Sequence, residues 1–370
     1  MAPAEHAAGT SDEFKKSASS SSLPLLVFQH WSSDNHDGEH EHEHEMLMFS
    51  LSQKRLLPAA DMEPALVAAG HGGHMCWTTP QGWVLVKSPP DSSSSSSSAT
   101  SPTWLWNPRT GGKISLPDVE EEHDGIPISC KCLLTYNDVT HPDCFVVLFD
   151  YMEPTMWYCK VTAGDGRRRG WRRYTYDVGE YEVPPRTPTK DVVSSIAAVQ
   201  GELFFIDSAR EMCAITLSSA CDDDPEFLYF DVSMVRFPGG MCSGRTWLVE
   251  SDDELFLVCV CFVGFDADNI GAVNVHRMDF STEAWCRVHD VGDVVFLLED
   301  ANMGASCPAS PLGLKPNQVY FIKNFMADDG DLCVFDIGLE IQEITQVHQH
   351  DDLPLYRKPF WILPPSMLAE

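Results

Sequence analysis

The segment "DGEHEHEHEM", residues 37–46, contains the pattern H-E-x-x-H, formed by His40, Glu41 and His44 around His42 and Glu43. On a helix this spacing places two imidazoles on one face, where they bind zinc, and the glutamate beside them activates a water molecule. The first chemistry to test is therefore that of a zinc hydrolase.

The surroundings of this pattern argue against a zinc helix. Residues 36–45 contain only His, Asp, Gly and Glu, so a helix here would have no apolar face to hold it against a core. In an extended strand His40, His42 and His44 would share one face and could take up zinc or nickel from solution, but nothing nearby supplies the rigid supporting shell of a catalytic site. We predict a solvated hairpin loop, with no metal site and no cofactor.

Two further motifs contain residues that could form binding sites. Residues 266–273 imitate a calcium loop through Asp266, Asp268 and Gly271, but Arg277 stands where the bidentate glutamate is required. We predict a turn between strands. The basic segment 167–173 could bind an acidic or phosphorylated partner through bidentate contacts, or could be a solvated hairpin tip. Its arginines are Arg167, Arg168, Arg169, Arg172 and Arg173.

The sequence offers no positive signal for an enzyme. It has no G-x-S-x-G elbow, glycine-rich phosphate loop or P-loop, so we assign no catalytic residues. The thirteen cysteines are scattered, mostly within apolar runs, and no C-x-x-C pair completes a zinc site. The C-x-C pairs, Cys130 with Cys132 and Cys259 with Cys261, fit one face of a strand, so we interpret them as buried structural thiols.

Charge and hydropathy restrict the classes of partner and compartment. The 370 residues include 25 Lys and Arg against 55 Asp and Glu, a formal net charge of −30. Such a surface repels nucleic acid and anionic membranes, and no run reaches 18 apolar residues. The Ser-rich residues 1–22 do not resemble a secretory signal. We expect a cytoplasmic or nuclear protein with a disordered tail over 1–22 and one domain over 23–365.

Short apolar, β-branched and aromatic runs bounded by turn residues indicate an all-β chain. The predicted strands are Leu25–Phe28, Met46–Leu51, Gly82–Val86, Thr103–Trp106, Cys144–Phe149, Met156–Val161, Ile196–Val199, Glu202–Ile206, Cys213–Leu217, Thr246–Glu250, Glu254–Phe262, Val273–Phe280, Val294–Leu298, Val319–Lys323, Leu332–Ile337 and Phe360–Leu363.

One type of strand recurs at a regular interval. Leu25, Val84, Phe145, Leu203, Leu255 and Val319 each open an apolar strand, at spacings of 59, 61, 58, 52 and 64 residues. Recurrence near 50 residues predicts a β-propeller, here with six four-stranded, kelch-like blades, whereas two stacked β-sandwiches would leave the interval unexplained. Trp171 and Trp285 fit wedges between neighbouring blades.

Seven segments in order then resemble a known family. They are "TWLWNPRTGGKISLP" (103–117), "WYCKV" (157–161), "TWLVESDDELFLV" (246–258), "VHRMDFSTEAWCRVHDVGD" (275–293), "LGLKPNQVYF" (312–321), "LCVFDIG" (332–338) and "PFWILP" (359–364). Together they resemble the plant KIB-type β-propeller family, domain of unknown function 295, from about Leu23 to Pro364. Asp279, Phe280, Trp285, Gly292 and Asp293 within these motifs suit strand ends and tight turns.

The resemblance implies a substrate-recruiting propeller of the kind attached to an F-box in ubiquitin ligases. The 22 residues before Leu23 are too few for an F-box of about forty residues, so we expect no direct binding of a Skp-type adaptor. Our preferred function is a non-catalytic, F-box-associated type of interaction module that binds an as yet unidentified client protein through loops. The alternative is an enzyme or small-ligand-binding propeller with its site in the central channel. Carboxylates, Arg or His facing the channel would favour this alternative, and plain packing residues would favour the interaction module.

Overall fold

The computed structural model describes residues 22–31, 44–58, 74–89, 100–120, 125–162, 170–181, 189–218, 223–267, 269–300, 303–323, 331–347 and 355–365. The tail assigned to residues 1–22 lies outside these ranges except for Ser22, whose carbonyl accepts a hydrogen bond from the Ser50 hydroxyl. In the described part of the chain the only helix is a 3₁₀ turn, Ser310–Leu312.

The strands form six main sheets, each a blade of one propeller, with the innermost strand named first. Blade one contains β29 (Leu355–Ile362), β1 (Leu25–Trp31), β2 (His44–Ser50) and β3 (Arg55–Leu56). Blade two contains β4 (Met75–Thr78), β5 (Val84–Lys87), β7 (Thr103–Trp106) and β8 (Lys113–Ser115). Blade three contains β10 (Cys130–Leu134), β11 (Phe145–Asp150), β12 (Thr155–Lys160) and β13 (Arg172–Thr175).

The second half of the ring repeats this order with one exception. Blade four contains β16 (Ile196–Val199), β17 (Glu202–Ser208), β18 (Glu211–Thr216) and β19 (Glu226–Asp231). Blade five contains β20 (Met241–Ser251), β21 (Glu254–Val263), β22 (Ile270–Asp279) and β23 (Ala284–Val288). Blade six has five strands, β25 (Gly304–Pro308), β24 (Val294–Leu298), β26 (Gln318–Ile322), β27 (Asp331–Asp336) and β28 (Ile341–Gln346). Two small ribbons pair β6 (Thr100–Ser101) with β9 (Val119–Glu120) and β14 (Glu180–Tyr181) with β15 (Thr189–Lys190).

The six-bladed propeller predicted from the strand interval is confirmed. The recurring residues fall in β1, β5, β11, β17, β21 and β26, and in blades one to five these are the second strands. A second strand packs against a neighbouring blade on both faces, so both sets of alternating side chains are apolar, as in β11 (Phe145–Asp150), which is buried throughout. Outer strands such as β13 alternate exposed and half-buried side chains, which gives a weaker sequence signal.

Six hydrophobic clusters each join two adjacent blades. One contains Trp77 and Leu85 of blade two together with Val146 and Trp157 of blade three, and the same pattern continues around the ring to the cluster between blades six and one. The predicted wedge at Trp171 is present, since this blade-three indole donates hydrogen bonds to Thr103 Oγ1 and to the Pro117 carbonyl beside blade two. Trp285 packs in a half-buried position against the cluster between blades four and five.

The motif residues interpreted as architectural occupy turns and blade contacts. Asp279 accepts hydrogen bonds from Ser281 and from the Thr282 hydroxyl, which closes the turn between β22 and β23. Asp293 accepts from the backbone and hydroxyl of Ser310. Phe280, half-exposed, lies 5.2 Å from the ring of Phe204, and Gly292 has a positive φ of 74° that favours glycine.

The ring is closed by pairing of the last strand with the first. β29 runs antiparallel to β1, with Leu25 opposite Ile362 and Val27 opposite Phe360. The side chains of β29 point alternately into two different cores, Phe360 towards blade two and Trp361 towards blade six. The closing strand therefore removes an exposed sheet edge and completes two interfaces between blades.

Blade six departs from the four-strand pattern through an inserted hairpin, defined as β24 with β25. β24 pairs in parallel with β26, and β25 forms the inner edge next to the channel. At the start of β25, buried Met303 packs with Leu133 and Ile196 of blades three and four, on the other side of the ring. The inserted hairpin therefore fills part of the central channel.

Removal of the closing strand is expected to prevent folding. Truncation after Tyr356 leaves the edge of β1 unpaired and opens two cores, so the product should be insoluble on expression. Truncation after Pro365 is the matched control and should give soluble protein with the melting temperature of the full chain. A soluble product of the first truncation that unfolds cooperatively would contradict the role of β29.

Close packing of the inserted hairpin on blade five is tested at Gly304. A Cβ at this position would lie 2.6 Å from Val249 Cγ2 and 2.7 Å from the Leu248 carbonyl oxygen. We expect Gly304→Ala to lower the free energy of unfolding by about 1–3 kcal/mol, the usual cost of overpacking. Gly239→Ala is the control, because a Cβ there meets nothing within 4 Å. Equal stability of both variants in urea denaturation would show that the hairpin is loosely packed.

Candidate functional site

The histidine-rich segment is only partly within the described residues. His40, His42 and Glu41 lie outside them, whereas His44 begins β2, so its backbone is a strand and not a helix. Among the described residues no group of three or more His, Cys, Asp or Glu is placed to hold a metal ion. In the calcium-like segment Asp266 lies in the turn between β21 and β22 as predicted, Gly271 lies in β22, and Asp268 is outside the description.

Two of the five arginines predicted to bind a partner are described, and they are adjacent on β13 (Arg172–Thr175). Arg172 is engaged within the protein, since it donates to the Asp223 carbonyl at 2.9 Å and lies 3.6 Å from the Asp224 carboxylate. Arg173 is exposed and its guanidinium lies 5.7 Å from the Trp157 ring centroid. Arg167, Arg168 and Arg169 lie outside the described residues.

The eleven cysteines whose side chains are described are free thiols, buried except for Cys286. Burial raises the pKa of Cys132 and Cys159 well above its ordinary value and that of Cys144 to about 11. A thiol with a raised pKa is a poor nucleophile. These positions therefore serve packing, as the apolar runs around them indicated.

A cleft at the centre of the ring brings together charged residues that are far apart in the sequence. It is an open cleft with about 60 Å³ available to the centres of water-sized molecules, bounded by β4 (Met75–Thr78), β10 (Cys130–Leu134), β29 (Leu355–Ile362) and the turn of the inserted hairpin. Lys131, Glu299, Arg357 and Lys358 line it, with Tyr151 at its edge. A second, smaller cavity shares Glu299 and Met303 with the cleft.

Lys131 is the most deeply buried cation of this cluster, with 4% of its surface exposed. Its ammonium group donates to the backbone carbonyls of Val193, at 2.9 Å, and Ser194. Burial lowers the pKa of Lys131 to about 7, because the charged form is poorly solvated and its hydrogen-bond acceptors are neutral. This lysine changes its charge near neutral pH.

Glu299 and Arg357 face the same cleft from the inserted hairpin and the closing strand. Glu299 Oε1 accepts a hydrogen bond of 2.8 Å from the backbone N–H of Trp361. Burial raises the pKa of Glu299 to about 7, although this hydrogen bond and the charge of Arg357 favour the carboxylate. Arg357 Nη1 donates to the Cys76 carbonyl at 2.8 Å, and its guanidinium lies 3.7 Å from the Phe360 ring centroid.

At the rim of the cleft, Asp300 organises two more cations. Arg245 of blade five pairs with the Asp300 carboxylate and also donates to its carbonyl. Lys358 Nζ lies 3.5 Å from the other carboxylate oxygen. Asp300 thereby links β20, the inserted hairpin and β29.

Charged side chains therefore line the channel, and this observation bears on the choice between an interaction module and a propeller with a site in its channel. Sequence reasoning missed these residues because they stand alone at positions 131, 299 and 357, in segments from blades three, six and one. The available signal was a single Lys inside the apolar strand Cys130–Leu134, where an unpaired charge is costly.

A different surface projects from blade five. Strands β20, β21 and β22 have 11, 10 and 10 residues, longer than the strands of the other blades. We define the blade-five ribbon as residues 241–245, 260–267 and 269–273. At its tip Phe265 is 87% exposed and Val263 is 45% exposed. Such exposure of a large aromatic residue is typical of binding surfaces.

The titration of Glu299 predicts a change of stability with pH. Its pKa is raised from 4.5 in the unfolded chain to about 7 in the fold. Below pH 4.5 the group is protonated in both states and does not lower the free energy of unfolding. As the pH rises from 4.5 through 7 the folded protein must give up the proton that it binds more tightly, so the free energy of unfolding falls. Glu299→Gln removes this loss. Between pH 4.5 and 8, the free energy of unfolding of the variant should rise by roughly 3 kcal/mol relative to that of the wild type, at about 1.4 kcal/mol per pKa unit.

Urea denaturation at pH 5, 6, 7 and 8 measures this difference. Glu343→Gln, on the exposed strand β28 (Ile341–Gln346), is the control and should show a difference from wild type that is independent of pH. A Glu299→Gln difference that is equally flat would show that the carboxyl group titrates normally.

The geometry defines a class of protein, a six-bladed β-propeller closed by its C-terminal strand and partly filled by a hairpin. The chain belongs to the KIB1-4 β-propeller family, whose model matches residues 48–336, from within β2 to the end of β27. The family resemblance of the sequence motifs is thereby confirmed.

Comparison with individual proteins adds little to this assignment. No curated protein matches the chain. Among solved structures, the β-propeller domain of the Trilobed protease from Pyrococcus furiosus, described as having an open velcro topology, is similar at 8% identity and a TM-score of 0.31. That match covers 89% of this chain and 93% of the other. In the described part of the chain no helix is long and apolar enough to span a membrane.

Proposed function

We propose that this propeller is a non-catalytic protein-interaction module and that the tip of the blade-five ribbon contacts its client. The observation that carries the proposal is Phe265, a large aromatic side chain that is 87% exposed at the end of the longest strands in the molecule. Aromatic residues at protein interfaces supply much of the binding energy when they enter a pocket of the partner.

Support for this role comes from the rigidity of the ribbon tip. The Val263 N–H donates to the Asn269 carbonyl at 2.9 Å, and the Asn269 N–H donates to the Asp266 carbonyl at 3.1 Å. Ser243 Oγ donates to the Gly264 carbonyl at 2.6 Å, which ties the turn to β20. A side chain held on such a turn loses little conformational freedom on binding, so more of its burial contributes to affinity.

Charge indicates the kind of client. Asp266 stands next to Phe265 in the turn, and the whole chain has a formal charge of −30. We propose a partner with an apolar pocket surrounded by basic residues. Electrostatic attraction would speed the encounter at low salt and weaken at high salt.

The arginine segment 167–173 remains a second, separate proposal. Its described arginines, Arg172 and Arg173, begin the fourth strand of blade three, whereas the ribbon tip connects the second and third strands of blade five. Arg172 is already paired with Asp224, which leaves Arg173 as the exposed arginine of the described pair. An acidic partner bound there would be distinct from the client at Phe265.

A channel ligand is the competing function, and the charged cleft is the observation that favours it. It does not exclude an interaction role, because the cleft and the ribbon tip are separate places on the propeller. We further propose a cytoplasmic or nuclear location, which the free thiols support because such compartments are reducing.

The client surface is tested by affinity purification with the full chain and two substituted forms. The double variant Val263→Ser and Phe265→Ser should lose the client at two salt concentrations. Met152→Ser, which changes a side chain 70% exposed on the β11–β12 connection, should retain it. Clients captured equally by all three proteins, identified by mass spectrometry, would exclude the ribbon tip.

The same purification tests the arginine segment and the adaptor. A variant with Arg167, Arg168, Arg169, Arg172 and Arg173 changed to Ser should lose any acidic partner while it keeps the client of the ribbon. No Skp-type adaptor is expected among the directly bound proteins. Direct binding of purified adaptor to the full chain would contradict that expectation.

A further inference from the structure

We propose that the central cleft is a binding site for a small molecule that carries a carboxylate or phosphate group, held by Arg357 and Lys131. This site is independent of the blade-five ribbon. Three features support this site: two cations with no carboxylate oxygen within 4 Å among the described residues, the dimensions of the cleft, and the contacts that fix Arg357.

The first observation is that two cations line the cleft without a carboxylate beside them. Lys131 is hydrogen-bonded to the neutral carbonyls of Val193 and Ser194, and Arg357 to the neutral carbonyl of Cys76. In the described ranges no carboxylate oxygen lies within 4 Å of either group, unlike Lys358 and Arg245, which both pair with Asp300. Removing a cation from water without a counterion is costly, and a bound anion would offset that cost.

The second observation is that Arg357 is held in place. Its Nη1 donates to the Cys76 carbonyl, its Nη2 lies 3.4 Å from the Cys76 sulfur, and its guanidinium stacks 3.7 Å from the Phe360 ring centroid. Among the described residues, the buried Nε–H has no hydrogen-bond acceptor. A planar guanidinium fixed in this way favours recognition of carboxylate and phosphate oxygens, which are its strongest partners.

The third observation is the size and shape of the cleft. About 60 Å³ of it is available to the centres of water-sized molecules, which is room for several waters or for one small anionic group. Met303 of the inserted hairpin reaches across the ring and is buried against blades three and four, which restricts the depth of the cleft. The space fits a small molecule better than a polypeptide segment.

The surroundings of the two cations indicate how affinity should depend on pH. Lys131 is fully charged below a pKa of about 7, and Glu299 is neutral below its own pKa of about 7. Both changes favour an anion, because the lysine attracts it and the protonated glutamate no longer repels it. Among the described residues, the other charged or titratable groups lining the cleft or its rim are Cys130, Cys132, Tyr151, Arg245, Asp300, Arg357 and Lys358. Arg357 keeps its charge throughout this range, so binding should weaken as the pH rises without being abolished.

Malonate and inorganic phosphate are suitable probes, each compared with sodium chloride at the same ionic strength. With the full chain at pH 6, at least one probe should raise the melting temperature and give a saturable isotherm in calorimetry. Affinity should fall severalfold between pH 6 and pH 8. Binding of only one probe identifies which anionic group the cleft prefers.

Substitutions locate the site. Arg357→Met and Lys131→Met should each weaken binding at least tenfold, whereas Arg277→Met, which removes an exposed partner of Glu254 on blade five, should leave it unchanged. If Arg357→Met does not fold, Lys131→Met decides the outcome, with circular dichroism to show that it is folded. No saturable binding of either probe at 20 mM, or undiminished binding in folded Lys131→Met, would overturn the proposal.

Discussion

The second and third strands of each blade supply side chains to two different hydrophobic cores, and the rest of the structure depends on that constraint. In β29 as well, Phe360 and Ile362 pack towards blade two, whereas Trp361 and Leu363 at its end pack towards blade six. A blade is therefore stable only between two neighbours, and burial of both faces requires a closed ring. This burial also explains why the turns are polar and the outer strands are short, since only the periphery and the two ends of the ring are exposed to water.

The inserted hairpin changes what this ring can do at its centre. Its innermost strand begins with Gly304, which permits close approach to β20, and Met303 just before this strand fills space between blades three and four. In the same segment Glu299 and Asp300 provide the carboxylates of the cleft. One departure from the four-strand pattern thus both narrows the channel and equips it with charge, in a position where water is limited and electrostatic interactions are strong.

The strands that could be predicted from the sequence are those composed almost entirely of apolar residues. Second strands such as Phe145–Asp150 are apolar on both faces, so their recurrence marked the blades. The innermost strands Met75–Thr78 and Gly304–Pro308 were missed because they are short and contain small or polar residues. The outermost strand of blade six, Ile341–Gln346, was also missed, since nearly all of its side chains are exposed and it has no apolar face to mark it.

The ring also has a consequence for synthesis of the protein. Leu25 and Ile362 are direct partners, yet they are separated by almost the whole chain. Until the ribosome has released the last strand, β1 has an open edge and the blades on either side of it lack part of their shared cores. The entropy of closing so long a loop rises only slowly with its length, so the delay comes chiefly from waiting for β29 to be synthesised. A nascent chain of this protein is therefore exposed to chaperones and aggregation until β29 has left the ribosome.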